Sequence, residues 1–400
     1  MKQKLLVIGA SVLQLPAIKR AKEMGLEVAV ADYNPDAVGI PFADRYFNAS
    51  TIDIDAIVRV AREYRPDGIM TLATDMPMRS IAAATQSLGL PGISMESAVK
   101  STDKIEMIKA FKEHGVASPW FFEVASSEEL EEVRDKIIVP CIMKPADNSG
   151  SRGVTIINSL VKLEAAYKYS VEQSRNGKVI IEEYLQGDEV SVEVITYGGE
   201  PHVLQVTDKL TTGVPYFVEM GHSQPSKFIG EDLDKISELA KAAVKAVGIR
   251  NSPAHVEMMV TNDGPKMIEL GARMGGDCIT THLVPLSTGI DMIKAAIDIS
   301  LGRVPDLEKK WDKGSAIRYF DVEPGIIQSI SGVDEVEKQE GVQEIILTKS
   351  IGEEVTPIHS SLDRVGMIVC QADSNVAAMQ ECEKALAKVH FTTSPYFGKE

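Results

Sequence analysis

Two glutamates twelve positions apart, Glu257 and Glu269, followed by Arg273 and the pair Gly275-Gly276, are the first residues whose types and spacing point to chemistry. They fall within His255–Asp277, where Val256–Val260 and Lys266–Leu270 alternate as two strands around an Asn262-Asp263-Gly264 turn. That is a hairpin signal, and it brings one carboxylate from each strand within reach of the other. Two carboxylates, a guanidinium and flexible glycine backbone suit Mg²⁺ bridging ATP phosphates beside a developing negative charge. An edge hairpin with two solvated glutamates would look the same, so the rest of the chain decides.

Lys144 is the next candidate. It ends a strand and is followed by Pro145 and the small-residue stretch Asn148-Ser149-Gly150-Ser151-Arg152-Gly153, then by a second strand over Val154–Ile157. Small residues let backbone N–H groups approach phosphate oxygens, and the lysine can neutralise them. A Walker loop does not fit, because the lysine precedes the glycines and no helix follows directly. A plain hairpin turn is the ordinary alternative. Upstream, Ser101-Thr102-Asp103 caps a helix over Lys104–His114 and sets Lys104 in its first turn, against the helix dipole. Downstream, a strand ends in Glu182-Glu183-Tyr184-Leu185, and Glu189 opens the next. Backbone groups at such a hinge can pair with a purine edge, and Glu189 can accept from ribose hydroxyls. Glu219 and His222 are polar groups in a mostly apolar segment, Phe217–His222, read here as a loop. A histidine in that setting is by default a satisfied structural one.

These residues need elements to position them. Leu5–Ile8, a helix over Gln14–Met24 and Glu27–Ala31 form a β-turn-α-β unit, continued by helix Ile54–Tyr64, strand Gly68–Leu72 and helix Met78–Leu88. That order belongs to a doubly wound parallel sheet. A dinucleotide fingerprint would need glycines where Ser11 and Gln14 stand, so an NAD site is disfavoured. Asp75 and Arg79 lie just past the carboxyl end of strand Gly68–Leu72, where open α/β sheets bind ligands; a helix cap and a solvated arginine are the plain alternative. Helix Glu231–Val247 is amphipathic and packs on the sheet carrying the hairpin. The remainder from Gly314 reads as a small α+β appendage without evident chemistry.

The chain has 400 residues, 44% hydrophobic and 25% charged, with a formal net charge of −16. Nucleic-acid backbones and anionic membranes need a basic face and are excluded as partners; a local Lys/Arg cluster can still hold a small anion. Cys141, Cys278, Cys370 and Cys382 lie far apart and read as small core residues of a reduced, cytoplasmic protein. No apolar run approaches the roughly 20 residues of a membrane span. Lys2 and Lys4 before apolar residues mimic a signal peptide, but Leu5–Ile8 leads into a glycine turn and an amphipathic helix instead.

Taken in order, Asp103-Lys104, Lys144 with its glycine loop, Glu182-Glu183-Tyr184-Leu185, Glu189, Glu257 and Glu269 resemble the ATP-grasp superfamily of carboxylate–amine and carboxylate–thiol ligases. The resemblance covers nearly the whole chain. It implies an α/β and α+β multidomain ATP-grasp fold: a Rossmann-like domain over 1–100, a linker helix over 101–118, a lid over 119–186, a central metal-binding sheet over 187–305 and a C-terminal α+β domain over 306–400. It also implies ATP with two Mg²⁺ ions, Mn²⁺ being an alternative. Lys104 and Lys144 would hold phosphates, with Ser149, Gly150, Ser151 and Gly153 closing over them. Glu182, Glu183, Tyr184 and Leu185 would hold adenine, Glu189 the ribose, and Glu257 with Glu269 the metal. Arg273 matches the arginine facing the acyl phosphate and, with Lys144, counts as catalytic.

The run Glu-Leu-Gly-Ala-Arg-Met-Gly-Gly and the Phe217–His222 segment look like the L-amino-acid ligase branch. There, Glu219, His222, Arg273, Gly275 and Gly276 would line the amino-acid pocket, with Asp75 a further substrate-side candidate. Gly271 departs from the many members that place a metal-binding asparagine there, which leaves the metal count open. The implied reaction turns a carboxylate into an acyl phosphate that an amine then attacks; Asp75, Glu219 and His222 are all candidate bases. Small-molecule acids and amines are the implied partners, and a dimer is common in the family. The alternatives are a purine-pathway enzyme joining bicarbonate or formate to a phosphoribosyl amine, and an inactive nucleotide-binding module.

Overall fold

The strand Lys4–Ile8 is apolar and buried after its first residue, as a strand covered on both faces should be. In the computed structural model, which describes residues 2–147, 153–214 and 216–394, it sits inside a four-stranded parallel sheet. The order is Arg45–Asn48, Glu27–Asp32, Lys4–Ile8, Gly68–Met70. The chain therefore reverses its winding between Lys4–Ile8 and Gly68–Met70, and the crevice at the carboxyl ends opens there. Next to that crevice, Gln14 donates from Nε2 to Leu72 O at 2.7 Å, and a Cβ on Gly9 would meet the same side chain. Asp32 is spent on the backbone N–H groups of Ala10 and Asn34. No room is left for a pyrophosphate on the first turn, in line with the missing glycines.

A second, antiparallel four-stranded sheet orders Phe121–Val124, Val179–Glu183, Cys141–Pro145 and Thr155–Ile157 around a small core that includes Leu130, Met143, Leu163 and Ile181. Between it and the rest lies helix Lys104–Glu113. Ile105 and Ile108 pack on Ala146 and Ile180 of this second sheet, whereas Met107 and Phe111 join the main core. The helix is thus wedged between two bodies, and its first residue is fixed in space.

The largest sheet has eight antiparallel strands, ordered Gly264–Gly271, Ser252–Thr261, Asp188–Tyr197, Glu200–Thr211, Glu219–Gln224, Gly314–Tyr319, Gly366–Ala372, Val342–Leu347. Helix Glu231–Val247 buries Ile236, Ala240, Ala243, Val244 and Val247 against Val256, Met258, Met267 and Leu270 of the hairpin. Phe217–His222 is not wholly loop: Glu219–Gln224 forms a strand. Three strands from the C-terminal appendage extend this central sheet, and a separate three-stranded sheet joins Glu354–Val355, Gly325–Ser331 and His390–Ser394. No helix among the described residues is long and apolar enough to cross a membrane. The four cysteines are free, three of them buried.

Candidate active site

The hairpin register is the starting point. Glu257 pairs directly with Glu269, and the loop closes at Gly264, whose φ of +108° suits only glycine. A bulge follows Glu257. Directly opposed carboxylates repel each other, so each needs a cation. Lys104 Nζ lies 2.7 Å from Glu269 Oε2. Its position follows from the helix start: Asp103 accepts from Ile105 N and Glu106 N, and Lys104 N donates to Ala146 O at 2.9 Å. Burial works against Glu269 ionising, and Glu257 opposes it too, but Lys104 outweighs both and lowers its pKa.

Glu257 is gripped from two sides. Lys209 Nζ donates to its Oε2 at 3.0 Å, and His255 Nε2 lies 3.1 Å from its Oε1. Lys209 is almost fully buried and also lies 2.5 Å from Glu189 and 3.6 Å from Glu219. Three carboxylates overcome its desolvation and raise its pKa well above the ordinary value. The Glu257 carboxyl is held far below its usual range, despite burial, by Lys209 and His255. His255 in turn meets the fully buried Glu193 through Nδ1 at 2.7 Å. Burial alone would lower its pKa; Glu193 and Glu257 push it up to about 9. Gly275 makes this possible by close approach, since a Cβ there would come within 2.6 Å of His255 Nδ1. Lys209, His255 and Glu193 were not singled out in the sequence.

Two cavities meet at this floor. The smaller, about 190 Å³, is lined by Lys144, Glu182, Tyr184, Leu185, Glu189 and Glu219, among others. Lys144 is buried and lies 2.6 Å from Glu182, a diagonal neighbour on the adjacent strand, where Ile142 is the direct partner of Glu182. Glu183 meets Lys266 of the hairpin at 2.9 Å. The backbone groups of Tyr184 and Leu185 take no hydrogen-bond partner among the described residues, which leaves them available to a ligand edge. The larger cavity, about 340 Å³, lies between the first sheet and the hairpin and is lined by Asp75, Arg79, Arg175, His255, Gly271 and Arg273, among others. Lys104, Glu257 and Glu269 belong to both walls. Arg273 donates from Nε and Nη2 to Asp75 Oδ2 at 3.2 and 2.9 Å. Burial opposes its charge, but Asp75 raises its pKa overall.

Not every expected residue arrives here. His222 is buried, lines neither cavity, and puts Nε2 3.3 Å from Asp277 Oδ2. Asp277 is also clamped by both terminal nitrogens of Arg364 at 2.8 and 2.9 Å, and the Arg364 guanidinium lies over the Tyr319 ring. The C-terminal appendage therefore braces the turn after Gly276. Gly275 and Gly276 line neither cavity, and Gly153 lies behind Pro145, its carbonyl accepting from Ser170. Ser149, Gly150 and Ser151 lie outside the described residues.

Whether the floor suits a divalent ion can be judged from its donors. No group of three His, Cys, Asp or Glu side chains among the described residues could hold a metal alone. Mg²⁺ does not require one: it keeps water and substrate phosphate oxygens around one or two carboxylates. Glu257 and Glu269 are such a pair, ionised, hard-oxygen donors facing both cavities, with ammonium and imidazolium groups now offsetting their charge. The residues fit.

Comparison with known proteins places this geometry. Residues 137–281 match the ATP-grasp domain, and residues 318–394 match the L-amino acid ligase C-terminal domain 2. The chain thus carries an ATP-grasp domain followed by an L-amino acid ligase C-terminal domain. It is 27% identical over 323 residues to alanine–anticapsin ligase of Bacillus subtilis (strain 168), covering 74% of this chain and 67% of that protein. It is 28% identical over 324 residues to phosphoribosylamine–glycine ligase of Methanobrevibacter smithii, covering 74% and 73%. Its fold matches the crystal structure of L-amino acid ligase from Bacillus licheniformis with a TM-score of 0.84 and 22% identity over 98% and 99% of the two chains.

Proposed function

We propose that the protein is an ATP- and Mg²⁺-dependent carboxylate–amine ligase acting on amino acids. The observation that carries this reading is the shared wall: Lys104, Glu257 and Glu269 separate a cleft lined by Lys144, Tyr184 and Leu185 from a second cavity that holds Arg273. A reaction that passes a phosphoryl group from ATP to a second substrate needs that arrangement. The relatives' names supply the direction, since two of them join an amine to a carboxylate.

In this reading, adenine meets the open backbone at Tyr184 and Leu185, and Glu189 faces the ribose. Lys144 and Lys104 offset phosphate charge, and Lys104 leaves Glu269 as the phosphates arrive. Mg²⁺ held by Glu257 and Glu269 would withdraw charge from the phosphate oxygens. The substrate carboxylate oxygen attacks the γ-phosphorus as the bond to the β–γ bridging oxygen breaks, giving acyl phosphate and ADP. The neutral amine then adds to the acyl carbon, loses a proton, and phosphate departs with its bonding pair. Arg273, oriented by Asp75, stabilises the oxyanion of that adduct. Lys209 holds Glu257, Glu219 and Glu189 in one electrostatic unit. Asp75 and Glu219 both face cavities and can take the amine proton; His222 faces neither.

Phosphate release from ATP and Mg²⁺ against single and paired amino acids, with bicarbonate and formate as controls, tests the reading. Release that requires amino acids supports it. Release that requires bicarbonate or formate and a phosphoribosyl amine would instead support the purine-pathway reading. A phosphoribosyl phosphate would call on basic residues near Arg79 and Arg318; Arg318 is buried and donates to the carbonyls of His222 and Ile317, whereas Arg79 lines the larger cavity.

A further inference from the structure

The floor of the larger cavity is electrically matched, and one wall is not. Asp75 is paired with Arg273, Glu269 with Lys104, and Glu257 with His255. Asp147, also on the wall, is spent on its own turn, accepting from Ser174 Oγ and from the backbone N–H groups of Arg175 and Asn176. Arg79 has no carboxylate partner among the described residues. Its Nε donates to Thr102 Oγ1 at 2.9 Å, which turns the guanidinium without neutralising it. The Arg175 guanidinium, on the facing lid, meets the Met76 sulfur at 3.2 Å and no carboxylate among the described residues. A partly buried guanidinium left without a counter-ion is costly.

Two independent features lie at the same place. Arg79 and Ser80 are in the first turn of the eleven-residue helix Met78–Leu88, which has Pro77 at its N-cap and no side-chain cap. The orphan N–H groups and the positive end of the helix favour an anion there. Ser80 lines the cavity, is 1% exposed, and its Oγ is buried with no hydrogen-bond partner among the described residues. A guanidinium, an orphan hydroxyl and an uncapped helix start converge on one wall.

We propose that this wall is an anion subsite, and that one of the two amino-acid substrates carries a second anionic group, a carboxylate or a phosphate monoester, seated on Arg79 and Ser80. This rests on the amino-acid ligase reading and deepens it. The remote anion anchors the substrate at Arg79, while its reacting end reaches the Asp75–Arg273 pair; Arg175 covers the anion from the lid side.

Binding, not turnover, tests it, so its failure is separate from failure of the ligase reading. Calorimetric titration of the full chain with MgADP present compares L-aspartate, L-glutamate and O-phospho-L-serine with L-asparagine, L-glutamine and L-serine. At least one acid should bind roughly tenfold or more tightly than its neutral counterpart, the worth of a charge-assisted contact. The carboxylate and phosphate arms tell which anion is taken. The preference should collapse in Arg79→Gln and weaken in Ser80→Ala. Equal binding of acids and neutral counterparts by the wild type, or a preference that survives Arg79→Gln, overturns the proposal. The wild-type comparison decides even if a variant does not fold.

Discussion

Asp75 Oδ1 stands 2.4 Å from where a Cβ on residue 271 would lie, so the carboxylate of one sheet occupies space that only glycine leaves in the other. Gly271 is also the position where many ATP-grasp proteins carry asparagine. The missing side chain is what admits Asp75, and Asp75 in turn fixes Arg273. Gly271→Ala should therefore displace Asp75 without unfolding the chain, because the group that must give way is the end of a side chain. We expect at least a tenfold loss in kcat/KM with an unchanged melting profile. Combined with Asp75→Ala, the loss should be strongly non-additive, with a coupling of roughly 1–3 kcal/mol. Additive losses would show that the two residues act separately.

Lys209 makes the second prediction. Removing its charge by Lys209→Met leaves Glu189, Glu219 and Glu257 facing each other without compensation. Breaking a buried ion cluster from one side costs about 3–5 kcal/mol. Urea denaturation should show a loss of that size. A loss below about 1 kcal/mol would mean that the carboxylates simply take up protons or water.

His255 gives a prediction in pH. Its folded-state pKa of about 9 lies above the ordinary 6.5, so its contribution to stability is complete below about pH 6.5 and is lost as pH rises through about 9. The shift corresponds to about 3 kcal/mol. Histidine NMR on metal-free protein should show an imidazolium at pH 7.5, and Glu193→Gln should bring the titration down toward the ordinary value. A wild-type midpoint near 6.5 would contradict the Glu193–His255–Glu257 chain.

Much of this was legible in the residues, and the exceptions have a common cause. Alternation and a turn signal marked the hairpin because one of its faces is apolar and packs on helix Glu231–Val247. Glu219–Gln224 escaped for the opposite reason: His222, Ser223 and Gln224 are polar residues buried in a strand, and alternation rules misread such segments. Lys209 was not singled out in the sequence. Its place at one strand position from Asp208 carries no signal until the preceding strand brings Glu189, and the more distant hairpin strand brings Glu257, alongside it. Arg364 was unreadable for the same reason, since pairing Gly221 with Arg318 and Ile368 with Arg318 leaves no local trace.

Glu269→Gln keeps the size of the side chain and removes the charge that Lys104 matches. Mn²⁺ binding in the presence of ADP, followed by electron paramagnetic resonance, should weaken at least tenfold in this variant, with the fold intact. Unchanged Mn²⁺ affinity would remove Glu269 from the metal site.

The most direct measurement follows oxygen. With amino-acid carboxylates labelled with ¹⁸O, each turnover through an acyl phosphate moves one labelled oxygen into the released phosphate, visible as an isotope shift in ³¹P NMR. One ¹⁸O per phosphate is the predicted result. Phosphate released without label, while a peptide or amide forms, would contradict carboxylate activation at this site.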